Sequence, residues 1–315
     1  MRAAYRSVYG LPEVLGIKDV EIPIPKANEI RVKVFAATVN RSDYHALTGK
    51  PLIMRVATGL INPKLSITGS DFAGQVDAVG ENVKRFNVGD KVMGFIDMGS
   101  QSHAEYLTIA EHLATPAPSN VSYEQIAACL EGAFYAISSI DGIKFQVGQK
   151  ALVIGGTGAI GSAYVQFLKH FGVEVTAVCR QAHSALVRST GASRIIDYET
   201  EDFTKTNEQY DFVFDAVGKN TFGTCKPLLK KKGIFMSSAP NVFLSLVTPV
   251  FGGRREVFTI PKKLMEHLAH IKELVEQRQF VPLIDRHYPL EKIAEAYTYV
   301  ASGQKIGNVI INIPT

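Results

Sequence analysis

The stretch Lys150–Arg180, KALVIGGTGAIGSAYVQFLKHFGVEVTAVCR, decides the fold. Ala151–Ile154 is a short apolar run of strand type, and Gly155–Gly156–Thr157–Gly158–Ala159–Ile160–Gly161 follows it. From Ser162 to Phe171 the apolar residues Ala163, Val165, Phe167, Leu168 and Phe171 recur at helical spacing, and Gly172 closes the helix. Val173–Val178 is a second, β-branched strand. This is a βαβ unit with Gly156-x-Gly158-x-x-Gly161 at its first turn. The glycines let the backbone turn tightly and approach a pyrophosphate, while the helix N-terminus offers N–H groups and a positive dipole end. The motif alone is weak; its place between strand and helix gives it weight. Gly156, Thr157, Gly158, Ala159, Ile160 and Gly161 are therefore expected to bind a dinucleotide. The competing reading is a glycine-rich turn that binds nothing.

The end of the second strand selects the cofactor. An acidic residue there would take the ribose 2′-OH of NAD. The chain reads Cys179–Arg180–Gln181–Ala182–His183, with no acid. Arg180 stands where a 2′-phosphate would lie, so the expected cofactor is NADPH. His183 is a second candidate contact, and a solvated surface arginine is the alternative for Arg180. Asp215, ending a later strand of sequence DFVFDAVG, is placed with Val217 on the cofactor side, or else caps the next turn.

Composition sets bounds. A chain of 315 residues has room for two domains. No apolar run approaches the ~20 residues of a membrane helix, and MRAAYRSVYG contains no apolar signal core. A net charge of +4, spread along the chain, argues against nucleic acid. Cys129, Cys179 and Cys225 are odd in number and far apart, which fits a reducing cytoplasm rather than a disulfide framework.

Along the chain, short strand-like runs at 30–39, 72–79, 91–95 and 104–109 alternate with turn residues, as in a β-barrel-like domain. Pro116–Asn120 is a break, and Ser122 can cap a helix after it. Beyond the βαβ unit the alternation continues: a helix at 184–191, strands at 194–196 and 211–218, a helix at 221–230 and a strand at 233–237. Such alternation means a doubly wound parallel sheet. Residues 241–256 read as an apolar loop over a ligand site, and 257–260 as one more strand. Helices at 262–278 and 289–302 and a strand at 308–313 close the chain. The expected division is 1–121, 122–260 and a C-terminal return, 261–315, that completes the first domain.

The order of these parts resembles the medium-chain dehydrogenase/reductase superfamily over nearly the whole chain. Besides the glycine turn, three stretches carry the resemblance. They are Gly69–Gly74 with Val79–Val83 and Val88–Val92, then Val39–His45, and finally Val281–Asp285 with Gly303–Asn308. It implies a GroES-like β-rich catalytic domain joined to a Rossmann domain. Zinc-containing members have Cys where this chain has Asn40, and His–Glu where it has Ser70–Asp71; Cys129 alone cannot hold a metal. The chain is thus similar to the zinc-independent, quinone oxidoreductase-like branch. The resemblance implies NADPH-dependent hydride transfer to a small hydrophobic quinone or enone, by a homodimer formed through the edge strand near Val257.

Within that resemblance Asn40 can donate an amide N–H and Asp43 orients it. The proton donor is open between Tyr44 and His45, with ordinary packing as the alternative for both. Asp71 hydrogen-bonds Asn40 or backbone. Glu131 and Tyr135 fall on a helix beneath the nicotinamide, with no role assigned. Segments 40–60 and 241–253 would line the substrate pocket. Two other readings compete: a non-catalytic NADPH-binding sensor, and a zinc-type alcohol dehydrogenase with unusual ligands. A short-chain reductase is rejected, because Tyr288-x-x-x-Lys292 is interrupted by Pro289.

Overall fold

The chain, in a computed structural model, is described for residues 1–52, 54–97, 99–239, 241–248 and 253–314. It divides into two units. Met1–Glu131, Leu268–Glu276 and Leu283–Thr315 make the first, and Gly132–His267 with Gln277–Pro282 the second.

The first unit opens with β1 (Arg2–Tyr5) paired antiparallel to β2 (Gly16–Asp19). In β3 (Glu29–Val39), Ile30, Val32 and Val34 alternate into the core, and burial becomes continuous from Ala36 to Val39. Helix α1 (Arg41–Thr48) follows at once, and then the short α2 (Met54–Thr58). Strands β4 (Asp71–Val79), β5 (Lys91–Phe95), β6 (Tyr106–Ala110) and β7 (Thr115–Pro116) come next. Helix α3 (Tyr123–Ala128) is N-capped by Ser122, whose hydroxyl accepts the Gln125 N–H. Tyr123 stacks on Phe35 of β3 at 4.4 Å. This packing keeps α3 with the first unit and moves the boundary expected at residue 121 to Glu131. The second boundary likewise moves from 260 to His267.

The second unit follows the expected alternation. Helix α4 (Glu131–Ile140) leads to β8 (Lys150–Ile154), α5 (Ala159–His170) and β9 (Glu174–Cys179). Then come α6 (Ser184–Thr190), β10 (Arg194–Asp197) and β11 (Tyr210–Asp215). The parallel sheet is completed by β12 (Leu229–Ser237) and β13 (Arg255–Glu256), in the order β10-β9-β8-β11-β12-β13. Its core includes Leu152, Val178, Ile196, Val213 and Phe235.

Three expectations fail here. The helix at 221–230 is cut to α7 (Phe222–Cys225), because Pro227 follows within a 3-10 turn and the chain enters β12 at Leu229. In the 241–256 loop, Val242–Val247 is a helix, α8, started by the Asn241 side chain on the Leu244 N–H. Residues 249–252 of that loop lie outside the described residues. The strand at 257–260 ends instead at Glu256.

Helix α9 (Leu264–Glu276) buries Leu268, Ile271, Leu274 and Val275. After it, β14 (Ile284–Pro289), α10 (Ile293–Ala301) and β15 (Asn308–Asn312) return to the first unit. Its sheet has the order β14-β15-β3-β4-β5-β7, with β6 also on β3. The 289–302 helix is thus shortened, Pro289 ending a strand. Among the described residues no helix is long and apolar enough to cross a membrane.

Candidate functional site

Two groups of residues carry chemistry, one on each unit. On the second unit, β8 leads into Gly155, whose φ is +83°. The Gly155 and Gly156 N–H groups both donate to the Val178 carbonyl, at 3.1 and 3.2 Å, which ties the turn to β9. A Cβ on Gly161 would lie 2.0 Å from the Gly155 carbonyl oxygen, so α5 can approach β8 this closely only with glycine there. Helix α5 starts after Gly158 with no side chain capping it. The N–H groups of its first turn, from Ala159 to Gly161, therefore lack helical acceptors, the arrangement in which a helix start can take an anion.

The sheet order places this turn at a topological switch point, since β9 lies on one side of β8 and β11 on the other. Open α/β sheets bind ligands at such points, outside the carboxyl ends of the strands. Val217, 46% exposed, leans over Gly155: its Cγ2 stands 2.5 Å from where a Cβ on that glycine would be. Thr157 and Ile160 are half-buried in the turn.

Asp215 has a different use from the one expected on the cofactor side. It is 1% exposed. Its Oδ1 accepts the Val217 and Gly218 N–H groups at 3.1 Å each, and its Oδ2 accepts the Asn220 N–H at 2.7 Å. The carboxylate shapes the turn after β11, and through it the position of Val217.

Arg180 follows β9, with its side chain 48% exposed. Its Nε is paired with Glu199 Oε1 at 3.0 Å. The strand end itself holds no acid, as read from the sequence, but one from the turn after β10 stands beside this arginine. His183 is half-buried and ends the short turn that begins at Arg180, where its N–H donates to the Arg180 carbonyl.

On the first unit a buried polar cluster forms where β3 passes into α1. Asn40, Asp43, Ser70, Asp71 and Glu131 are all 7% exposed or less. Asp71 on β4 accepts the Thr38 N–H at 2.7 Å and also the Thr38 hydroxyl. The Asn40 amide donates to Thr38 Oγ1 at 2.5 Å and to Asp71 Oδ2 at 3.2 Å. Both of its N–H bonds are thereby committed, which removes the donor expected for a substrate oxygen. Asp43 Oδ2 accepts the Asn40 N–H at 2.8 Å, as an N3 residue reaching back to its cap. Ser42 Oγ donates to Glu131 Oε1 at 2.6 Å, and Ser70 Oγ to Glu131 Oε2 at 3.2 Å. Burial pushes the Asp43, Asp71 and Glu131 carboxyls up to about 8, and the neighbouring carboxylates add to it.

Tyr44 and His45 do not join this cluster. Tyr44 packs on the apolar core of the first unit, and the His45 ring lies against it at 6.2 Å. Sequence reading also missed Thr38, Glu131 as an acceptor, and Glu199. All three depend on partners brought together by the fold, and no local motif announces them.

The donor set does not fit a catalytic zinc. Asn40 is an amide already spent on two acceptors, and the Ser70 hydroxyl is spent on Glu131. Cys129 donates its thiol to the Ile126 carbonyl, and burial pushes that thiol up to about 12. A zinc ligand must be the thiolate. Among the described residues no group of three or more His, Cys, Asp or Glu side chains is placed to hold a metal ion.

Comparison with known proteins agrees with this architecture. Residues 26–120 match the alcohol dehydrogenase GroES-like domain, and residues 190–311 match a model described as zinc-binding dehydrogenase. The 2-methylene-furan-3-one reductase of Solanum lycopersicum is 30% identical over 99% of this chain and 79% of its own length. A chloroplastic quinone oxidoreductase of Triphysaria versicolor is 28% identical over 99% of this chain and 98% of its own. The solved quinone oxidoreductase of Coxiella burnetii superposes with a TM-score of 0.87 at 23% identity, covering 100% of this chain and 99% of its own. The chain belongs to the medium-chain dehydrogenase/reductase family, on its quinone oxidoreductase-like branch. It is a GroES-like domain joined to a Rossmann-type parallel sheet, and an oxidoreductase of an NAD(P)-dependent family.

Proposed function

We propose that the protein is an NADPH-dependent, zinc-independent reductase that passes a hydride to a quinone or an α,β-unsaturated carbonyl. The observation that carries this reading is the uncapped α5 N-terminus behind the Gly155–Gly161 turn, at the switch point of the sheet. NADPH bound there supplies the hydride. The residues Gly156, Thr157, Gly158, Ala159, Ile160 and Gly161 hold its pyrophosphate, Val217 packs against it, and Arg180 with His183 meets the 2′-phosphate. The polar donor set on the first unit offers no Lewis acid, so the acceptor must already be activated. Exposed Leu52 and Leu60, each 72% exposed, suit an apolar acceptor. The same reading takes the protein as a homodimer through the β13 edge. It places it in a reducing compartment such as the cytoplasm, where its three buried free cysteines stay reduced.

The cofactor preference rests on Arg180, and Glu199 competes for it. Arg180→Ala should weaken NADPH by about ten- to a hundred-fold and NADH little, the worth of a charge-assisted contact of about 1.5–3 kcal/mol. Glu199→Gln should act in the opposite sense. It frees the arginine from an exposed pair worth about 0–1 kcal/mol, so the NADPH gain is about five-fold or less. Titration calorimetry with both nucleotides checks the two substitutions, and an unchanged preference in both would place the phosphate elsewhere.

The activity is tested by following NADPH and NADH oxidation in parallel with 1,2-naphthoquinone and with a small enone. Turnover of NADPH with at least one acceptor is expected. Saturable NADPH binding without turnover across a broad panel would favour the sensor.

A further inference from the structure

The segment 50–64 of the first unit is turned inside out. Its small and polar residues face inward: Thr58 and Gly59 are buried, and the Tyr9 hydroxyl meets both. That hydroxyl donates to the Gly59 carbonyl at 2.6 Å and lies 2.8 Å from the Thr58 hydroxyl. The large aliphatic residues face outward. Leu52 and Leu60 are each 72% exposed, Val56 is 64% exposed and Ile61 83%. Burying such chains is the main favourable term in folding, and a monomer rarely groups them on its outside without a use for them.

Local bonds hold the segment in this arrangement. The Met54 and Arg55 N–H groups donate to the Pro51 and Leu52 carbonyls at 2.9 and 3.1 Å, and the Lys64 N–H to the Thr58 carbonyl at 2.7 Å. The Arg55 guanidinium lies 4.7 Å from the centre of the Tyr9 ring. Gly59 has a φ of +125°, and a Cβ there would stand 2.1 Å from the Asn62 carbonyl oxygen. The turn that presents Leu60 and Ile61 therefore needs glycine.

The charge is one-sided as well. No acid occurs from Tyr44 to Ser70, while Lys50, Arg55 and Lys64 all fall within that stretch. Lys50 and Lys64 are exposed, and among the described residues neither is joined to a carboxylate. A small acceptor would cover one or two of the aliphatic chains. Four of them between Leu52 and Ile61, bounded by a lysine on each side, offer a broad contact instead. Aliphatic tips edged by cations suit the face of a bilayer, where the tips enter the acyl boundary and the ammonium groups meet anionic headgroups.

We propose that residues 50–64 form a docking surface for a membrane with anionic headgroups, on which the protein lies peripherally. This surface goes beyond the reductase reading and does not depend on it. With no covalent anchor involved, attachment is reversible and weakens as salt rises.

The test mixes the whole protein with vesicles of phosphatidylglycerol and phosphatidylcholine in equal parts, and reads the bound fraction by flotation. Binding is expected at low salt, and little with phosphatidylcholine alone. Leu60→Ser with Ile61→Ser should lower the partition coefficient by at least about ten-fold. Lys50→Gln with Lys64→Gln should lower it by about twenty- to thirty-fold, about five-fold for each cation. All four positions are exposed, so the urea midpoints of these variants should match the wild type. The chain holds no tryptophan, and Leu60→Trp supplies a single reporter. Its emission should move to the blue on the mixed vesicles and be quenched by brominated acyl chains.

Wild-type protein that stays free of the mixed vesicles overturns the proposal. So does binding that Leu60→Ser with Ile61→Ser leaves unchanged, or an unshifted Leu60→Trp spectrum in bound protein, since attachment would then use another surface. Equal binding to phosphatidylcholine alone overturns the anionic assignment. Self-association abolished by the same serine substitutions, with no vesicle binding, would give the surface to a second copy of the chain and overturns it too. None of these readouts involves turnover, so a failed reductase assay leaves them intact.

Discussion

Gly161→Ala raises the Kd for NADPH by at least about a hundred-fold, roughly 2.7 kcal/mol, and destabilises the fold by about 1–3 kcal/mol. The added methyl would stand 2.0 Å from the Gly155 carbonyl oxygen, 2.8 Å from its carbonyl carbon and 3.2 Å from the Gly156 Cα. These are backbone atoms, so no side-chain rotation relieves the contact. Helix α5 must move away from β8. That movement shifts the N–H groups of Ala159–Gly161 off the position proposed for the pyrophosphate and loosens the two hydrogen bonds that hold Gly155 and Gly156 to Val178. Calorimetric titration and a urea unfolding curve read the two effects separately. A variant that binds NADPH as the wild type does would show that the turn is not the pyrophosphate site.

The second large effect is on stability as pH changes. Asp43, Asp71 and Glu131 are raised to about 8, first by burial and then by one another; the three hydrogen bonds that Asp71 accepts oppose the rise without reversing it. An unfolded carboxyl ionises near pH 4, so above that pH the folded protein holds protons the unfolded chain has lost. The stability these groups contribute is complete below about pH 4 and is lost as pH rises through about 8. His103 runs the other way. Burial lowers it to about 4, while its ring nitrogens meet the Thr68 hydroxyl at 2.9 Å and the Thr38 carbonyl at 2.9 Å. Its contribution is present above about pH 6.5 and lost as pH falls toward 4. Between pH 6.5 and 8 the carboxyls alone set the slope, about 1.4 kcal/mol per pH unit for each proton held. Urea midpoints should therefore fall steadily across that window. A flat or rising series would mean that the three acids are ionised in the folded protein and held by Lys305 and their hydrogen-bond donors.

The parts of this molecule that are local in sequence were readable from it. The Lys150–Arg180 stretch declares strand, turn, helix and strand because period and glycine spacing agree over adjacent residues. The same is true of β3, β4 and β5, short apolar runs bounded by turn residues, although only the first half of β3 alternates in burial. Where a neighbour in space decides, the sequence is silent. Glu199 reaches Arg180 across β10, and no motif marks it. Glu131 is 89 residues from the Ser42 hydroxyl it accepts. Asp215 offers both a cofactor and a capping reading, and only the N–H groups of Val217, Gly218 and Asn220 around it show the capping use. Other misreadings had signals that local pattern overrode. Pro227 should have stopped the helix begun at Thr221. Asn241 before an apolar run is a helix-start signal, which α8 uses. Tyr44, three residues before buried Leu47, sits at core spacing in α1 and packs accordingly.

The most direct test of the central claim follows a labelled hydride. Protein freed of metal by chelation and verified by metal analysis is given NADPH deuterated at nicotinamide C4, on the face that is transferred, together with a small enone. The account predicts turnover that survives chelation, with deuterium at the β-carbon of the saturated product and a solvent proton at the α-carbon. Loss of turnover on metal removal, regained with zinc, would contradict it, as would a product carrying no deuterium.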